Sequence, residues 1–164
     1  MDAELYQLAA ELGRHLLREG WRITTAESCT GGGLSAAITA VPGSSAWFDC
    51  GFITYSNQAK QQMLGVGADT LAQHGAVSEA TVREMACGAA QRSGSPLVVA
   101  VSGIAGPDGG TADKPVGTVW LAWQDASGRI DCRCCRFAGD REAVRRQAVK
   151  QALLELLALA GAEA

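Results

Sequence analysis

Residues 97–110, Leu97-Val98-Val99-Ala100-Val101-Ser102-Gly103-Ile104-Ala105-Gly106-Pro107-Asp108-Gly109-Gly110, join an apolar run directly to a polar, glycine-rich segment. An uninterrupted apolar run is typical of a strand that is covered on both faces, as in parallel sheets. Residues 21–26 form a second β-type run, which continues into Glu27-Ser28-Cys29-Thr30-Gly31-Gly32-Gly33. Ligands of open α/β sheets bind where the strands end at their carboxyl edge. The two stretches therefore predict two glycine-rich loops at one sheet edge.

Helices and strands alternate along the rest of the chain. Spacing and helix-start signals predict helices over residues 1–20, 34–40 and 58–64, from Ser78 onward and from Asp140 onward, with strands over 47–55, 116–124 and 129–137. This order predicts an α/β fold, a three-layer α/β/α sandwich around a mixed, mostly parallel sheet of about five strands. No linker or repeat divides the sequence, so we expect residues 1–164 to form a single domain.

Composition excludes several classes of function. Hydrophobic residues make up 48% and charged residues 19% of the chain, which is typical of a globular protein. The net charge is −3 and no run of Lys and Arg stands out, so we expect no nucleic-acid partner. With only two histidines, a zinc site or a histidine-based triad is disfavoured. If the protein is an enzyme, its base is expected to be a residue other than histidine.

The first twenty residues and the cysteines indicate a cytoplasmic protein. The N-terminal segment is amphipathic and lacks the continuous apolar region of an export signal, and no stretch approaches the ~20 apolar residues of a membrane span. The six cysteines are too sparse for a disulfide scaffold, and no second cysteine pair or nearby histidine accompanies Cys132-Arg133-Cys134-Cys135. We therefore expect reduced thiols, no metal, no cofactor and no membrane partner. We further expect a homo-oligomer.

The first glycine-rich loop offers three nucleophiles, namely Ser28, Cys29 and Thr30. A serine needs a base to react, and Lys60 is the lysine nearest in sequence to this loop. A lysine kept neutral by partial burial can take up a serine proton. Spacing alone nevertheless favours a solvated helix position for Lys60. For Cys29, a small buried side chain is the ordinary expectation.

The glycine-rich loops also have a simpler interpretation. Neither matches a P-loop or a G-x-G-x-x-G fingerprint, so each can be a tight turn that needs glycine. Arg141 and Arg145 lie four residues apart and share a helix face. They form either a solvated face or a clamp for phosphate or carboxylate, and Lys114 offers the same chemistry.

Several motifs in order closely resemble the CinA C-terminal domain family, and the resemblance covers about residues 4–158. They are residues 26–32, 55–60, 75–79, 102–107, 114–119 and 139–141. The resemblance implies hydrolysis of the carboxamide of nicotinamide mononucleotide, giving nicotinate mononucleotide and ammonia in pyridine nucleotide salvage. It also implies a Ser/Lys mechanism without metal, acting on a small-molecule nucleotide substrate.

The resemblance also assigns roles to individual residues. Ser28 corresponds to the nucleophile, Lys60 to the general base and Tyr55 to an assisting hydroxyl that positions or relays the proton. Ser102 is expected to bond to the substrate or to the Ser/Lys pair. Arg141 corresponds to a substrate-binding arginine.

The remaining binding residues are a larger set with open roles. Arg145 is a close rival of Arg141, and the loop that starts at Ser102 and Gly103 competes with Arg141 for the phosphate. The candidates for the oxyanion hole are the backbone N–H groups of Cys29, Thr30, Gly31 and Gly32.

Two other functions stay open at this point. A non-catalytic nucleotide-binding module would use the same loops but would not need Lys60. A competence-associated interaction protein is suggested by the historical name of the family, although the net charge of −3 counts against direct contact with DNA.

Overall fold

The computed structural model describes residues 2–161, so the ends of the predicted domain 1–164, Met1 and residues 162–164, lie outside the described residues. In chain order the elements are α1 (Ala3–Glu19), β1 (Ile23–Glu27), α2 (Gly33–Thr39), a 3₁₀ turn (Ser44–Ala46), β2 (Phe48–Ile53), α3 (Asn57–Leu64), α4 (Ala68–His74), α5 (Glu79–Ser93), β3 (Leu97–Gly103), β4 (Thr118–Gln124), β5 (Ile130–Arg136) and α6 (Arg141–Leu159). None of these helices is long and apolar enough to cross a membrane.

The strands form one sheet in the order β2-β1-β3-β4-β5. Strand β1 pairs in parallel with β2 and with β3, while β4 and β5 extend the sheet in antiparallel fashion. The predicted sandwich with a mixed sheet of five strands is confirmed, with the parallel pairing around β1. Because β1, β2 and β3 run in the same direction, the loops that follow them meet at one edge.

Strand β3 explains why the apolar run has no polar alternation. Leu97, Val99 and Val101 pack into the core beneath α1, α2 and α6. Val98 and Ala100 point to the opposite face, into the core beneath α3, α4 and α5. Since successive side chains of a strand alternate between faces, a central strand between two helical layers must be apolar at every position.

Two elements differ from the sequence prediction. Strand β2 ends at Ile53 and not at Tyr55, because the carbonyl groups of Thr54 and Tyr55 turn away to accept hydrogen bonds from Lys60. Helix α4 was not predicted. Its first turn is held by Glu84 of α5, which accepts hydrogen bonds from the Gly67 N–H at 2.8 Å and the Thr70 hydroxyl at 2.6 Å, and local sequence does not reveal a cap supplied by another helix.

The close approach of α3 and α5 depends on Gly88. A Cβ atom at this position would lie 1.9 Å from the carbonyl oxygen of Leu64, a backbone atom at the end of α3. Gly88 therefore sets the distance between the two helices, and with it the position of the helix that carries Lys60.

We expect Gly88→Ala to lower the free energy of unfolding by about 2–3 kcal/mol, because the added methyl group forces the two helices apart. Urea denaturation measures the change. Gly33→Ala is the matched control, since a Cβ there would lie 3.5 Å from Val149, an ordinary contact. Equal stability of the two variants would contradict the packing argument.

Candidate active site

Ser28 is fixed at the carboxyl end of β1 by backbone contacts on both sides. Its N–H donates to the carbonyl of Val101 on β3 at 3.0 Å, and its own carbonyl accepts from the N–H of Gly31 at 3.0 Å. The preceding residue, Glu27, is fully buried. Its carboxylate accepts from the N–H groups of Leu34 and Ser35, both at 2.9 Å. The loop between β1 and α2 is therefore tied at both ends.

Glu27 is a residue that the sequence reasoning missed. An acidic residue at the end of an apolar strand, directly before a glycine-rich loop and a helix, is the signal that identifies such a cap. The carboxylate satisfies the free N–H groups at the start of α2 and also accepts from the Ser35 hydroxyl at 2.6 Å.

Lys60 is buried beside Ser28, which excludes the solvated helix position that its spacing favours. Its side chain is 1% exposed. The Nζ atom lies 2.9 Å from the Ser28 hydroxyl oxygen, 2.9 Å from the Thr54 carbonyl oxygen and 3.1 Å from the Tyr55 carbonyl oxygen. Helix α3 carries it there from a start capped by Ser56, whose hydroxyl accepts from the Ala59 N–H at 3.0 Å.

The surroundings of Lys60 favour the neutral amine. Burial lowers its pKa from the ordinary lysine value, and the ion pairs of residues 2–161 do not include it. A neutral amine has two N–H groups and one lone pair. In the structure Nζ is within donor distance of the two carbonyls and of the Ser28 oxygen; once the amine is neutral, its two N–H groups can stay on the carbonyls and its lone pair is left for the Ser28 hydroxyl, as a general base requires.

Cys29 is a poor competitor for the role of nucleophile. Burial raises the pKa of its thiol to about 11, so the thiolate, which is the reactive form, is scarce at neutral pH. All six cysteines of the chain are free thiols.

Ser28 and Lys60 open into a pocket of about 270 Å³. Ser102 and Gly103 at the end of β3 line it, together with Ala76, Val77 and the loop through Gly106. The Ser102 hydroxyl donates to the carbonyl of Ala76 at 2.9 Å. It makes no hydrogen bond to Ser28 or Lys60. Gly103 lies against β4, where a Cβ would come within 2.6 Å of Val119.

Arg141 and Tyr55 form the rim of the same pocket. The Arg141 guanidinium donates to the Gly106 carbonyl at 2.7 Å and to the Tyr55 hydroxyl at 3.0 Å. The ring of Tyr55 is largely exposed. Tyr55 thus contacts Lys60 through its carbonyl and Arg141 through its hydroxyl.

Four residues of the predicted site do not line the pocket. They are Thr30, Gly31, Gly32 and Arg145. The guanidinium of Arg145 instead donates to the carbonyls of Cys29 at 3.1 Å and Thr30 at 3.2 Å. Arg141 and Arg145 were the two alternatives for the substrate-binding arginine. The structure places them in different surroundings.

No group of three or more His, Cys, Asp or Glu side chains within residues 2–161 is arranged to hold a metal ion. The polar and charged side chains that line the pocket are those of Ser28, Cys29, Tyr55, Lys60, Ser102, Asp108 and Arg141. Chemically, this set contains a hydroxyl beside an amine, together with one cationic side chain, Arg141, and one anionic side chain, Asp108.

The chain is similar to several known proteins over nearly its whole length. Residues 5–160 match the model of the CinA C-terminal domain. The nicotinamide-nucleotide amidohydrolase PncC of Pseudomonas putida is 58% identical over 152 residues, covering 93% of this chain and 94% of that protein. The protein of the same name from Escherichia coli strain K12 is 56% identical, covering 94% of both chains. The crystal structure of competence/damage inducible protein CihA from Agrobacterium tumefaciens superposes with a TM-score of 0.94 at 44% identity and covers 97% of both chains.

We expect the Cys29 thiol to resist alkylation because its raised pKa keeps it protonated. Iodoacetamide at mildly alkaline pH, followed by peptide mass spectrometry, gives the relative rates. Cys87 and Cys134, which are exposed, serve as internal references and are expected to react first. Labelling of Cys29 as fast as Cys87 would restore it as a candidate nucleophile.

Proposed function

Because the chain belongs to the CinA C-terminal domain family, we propose that it is an amidohydrolase that converts nicotinamide mononucleotide and water to nicotinate mononucleotide and ammonia. Its relatives that carry the name nicotinamide-nucleotide amidohydrolase match it over nearly the full length of both chains. The observation that carries the mechanism is the distance of 2.9 Å between the Lys60 amine and the Ser28 hydroxyl.

The first half of the reaction forms an acyl-enzyme. The Ser28 oxygen attacks the carboxamide carbon while Lys60 takes the hydroxyl proton, and the carbonyl electrons move to the amide oxygen. When the intermediate collapses, the bond from carbon to nitrogen breaks. Lys60 then passes its proton to the nitrogen, which leaves as ammonia.

The second half regenerates the enzyme. Neutral Lys60 takes a proton from water, whose oxygen attacks the ester carbon. The bond from that carbon to the Ser28 oxygen breaks, and Lys60 returns the proton to Ser28. The products are nicotinate mononucleotide and free enzyme, and no redox partner is needed.

The oxyanion requires hydrogen-bond donors in the first loop. Within residues 2–161, the N–H groups of Cys29, Thr30 and Gly32 donate to no other residue, whereas those of Ser28, Gly31 and Gly33 are already bonded to carbonyls. Of these residues Cys29 lines the pocket, so its N–H is the leading candidate for the oxyanion hole, where a donor can contribute about 3 kcal/mol to transition-state stabilisation.

Arg141 is the group best placed for the nucleotide phosphate. Its guanidinium lies at the pocket rim, and its contacts with Gly106 and Tyr55 hold it in place. An arginine fork matches phosphate geometry. Tyr55 connects Arg141 to Lys60, because its hydroxyl accepts from Arg141 and its carbonyl accepts from the Lys60 amine.

The burial of Lys60 also argues against a non-catalytic nucleotide-binding module or an interaction protein. Removing an amine from water is unfavourable, and neither of those functions gives a reason for placing one against a serine hydroxyl. The metabolic role that follows from the proposed reaction is pyridine nucleotide salvage in the cytoplasm.

We expect the protein to release ammonia from nicotinamide mononucleotide in the presence of a chelator. Ser28→Ala and Lys60→Ala are expected to lower kcat by about 10³-fold or more, because each removes half of a unit that acts together. A coupled ammonia assay measures the rate, and circular dichroism checks the fold. Lys150→Ala is the control, since Lys150 pairs with Glu4 far from the pocket.

Three outcomes would contradict parts of this proposal. Near-normal turnover by Ser28→Ala would remove the assignment of the nucleophile. Saturable nucleotide binding without ammonia from the wild-type protein would favour the binding module. Neither binding nor ammonia would favour the interaction protein.

The pH dependence of kcat/KM should report the lowered pKa of Lys60. Below that pKa the amine is protonated and cannot accept the Ser28 proton, so kcat/KM rises with pH and levels off above the pKa, at a pH below the ordinary lysine value of 10.5. Because unfolded Lys60 retains its proton between the two pKa values, the free energy of unfolding also rises with pH in that window. A flat or falling rate profile across this range would contradict the assignment of Lys60 as the base.

A further inference from the structure

Arg145 lies behind the loop that carries the nucleophile and does not line the pocket. Its Nε atom donates to the Cys29 carbonyl at 3.1 Å, and Nη2 donates to the Thr30 carbonyl at 3.2 Å. Gly31 lets the guanidinium approach this closely, because a Cβ there would lie 3.3 Å from Nη2 and the backbone φ is +58°. One rigid fork therefore bonds to two successive carbonyls of the loop.

These contacts determine where the intervening N–H group points. The carbonyl and the N–H of a trans peptide point in opposite directions, and within residues 2–161 the cis peptide occurs at Gly106–Pro107. Since the Cys29 carbonyl faces Arg145, the N–H of Thr30 faces away from it, and it donates to no other residue among those described. The Cys29 N–H belongs to the preceding peptide, whose carbonyl is that of Ser28. Because this carbonyl accepts from the Gly31 N–H, the Cys29 N–H points away from Gly31.

We propose that Arg145 is a positioning residue of the reaction: by holding the carbonyls of Cys29 and Thr30, it fixes the loop so that the N–H of Cys29, which lines the pocket, can bond to the oxyanion. This inference rests on the proposed function. Arg145 thus acts through the backbone and never touches the substrate.

The surroundings of Arg145 set it apart from a substrate ligand. It lines a separate cavity of about 220 Å³ with Leu5, Gly33 and Val149, and its Nε and Nη2 donors are engaged by the loop. Arg141, by contrast, stands at the rim of the pocket that contains Ser28 and Lys60. The two arginines are therefore expected to affect different kinetic constants.

The test compares Arg145→Met with Arg141→Met on nicotinamide mononucleotide. Methionine keeps an apolar stem and removes every donor. We expect Arg145→Met to lower kcat by about 10²-fold, the effect of losing one oxyanion donor, with KM within about twofold of the wild type. Arg141→Met should mainly raise KM. The matched control is Arg146→Met on the same helix, since Arg146 pairs with Asp2 and Glu4 and should affect stability without changing kcat.

Two further measurements separate positioning from general loss of structure. The pH midpoint of kcat should stay unchanged in Arg145→Met, because Lys60 is untouched, and added guanidinium at low concentration should restore part of kcat by filling the vacated cavity. If Arg145→Met does not fold, Arg145→Lys, which can reach one carbonyl, should fold and show an intermediate kcat.

The failure of this inference differs from the failure of the proposed function. A wild-type protein that releases no ammonia would overturn the proposed function and this inference with it. Wild-type turnover together with an unchanged kcat in Arg145→Met would overturn the positioning role alone. A rise in KM without a fall in kcat would instead make Arg145 a substrate ligand.

Discussion

The contact between the Lys60 amine and the Ser28 hydroxyl is the interaction on which the rest of the site depends. An amine can be buried there because two carbonyls, those of Thr54 and Tyr55, accept its N–H groups. No carboxylate within residues 2–161 forms an ion pair with the amine, so burial favours the neutral form. The N–H of Thr54 still donates to Glu27 of β1, but its carbonyl is turned to Lys60, so the backbone leaves the sheet directly after this residue and β2 is shorter than its apolar pattern suggests.

The two halves of this contact come from different layers of the fold, and each is held by an independent backbone feature. Ser28 is tied to the central strand by its bond to Val101. Lys60 rides on α3, whose distance from α5 is set by the close approach of Leu64 to Gly88. The distance between the Ser28 hydroxyl and the Lys60 amine thus depends on the register of the sheet and on the packing of α3 against α5. The sheet and the helix contact are both buried, and close-packed interiors are rigid.

Sequence reasoning was successful wherever a local pattern had one structural meaning. The apolar run of β3 required cover on both faces, and the glycine-rich loops followed parallel strands, so the sheet edge that holds the site was predictable. Helix α4 escaped prediction because its cap comes from Glu84 of another helix. The burial of Lys60 escaped prediction for a similar reason, because its spacing on a short helix carries no information about the carbonyls that surround it.

The sequence by itself determined the fold class, the edge at which the site lies and, through the motifs of the CinA C-terminal domain family, the candidate residues. Only the tertiary structure showed that Lys60 is buried against Ser28 and separated Arg141 from Arg145. The physical reason is that one helical turn between the two arginines suffices to place one at the pocket rim and the other behind the loop. Burial and hydrogen-bond partners come from segments distant in the chain, and no local pattern encodes them.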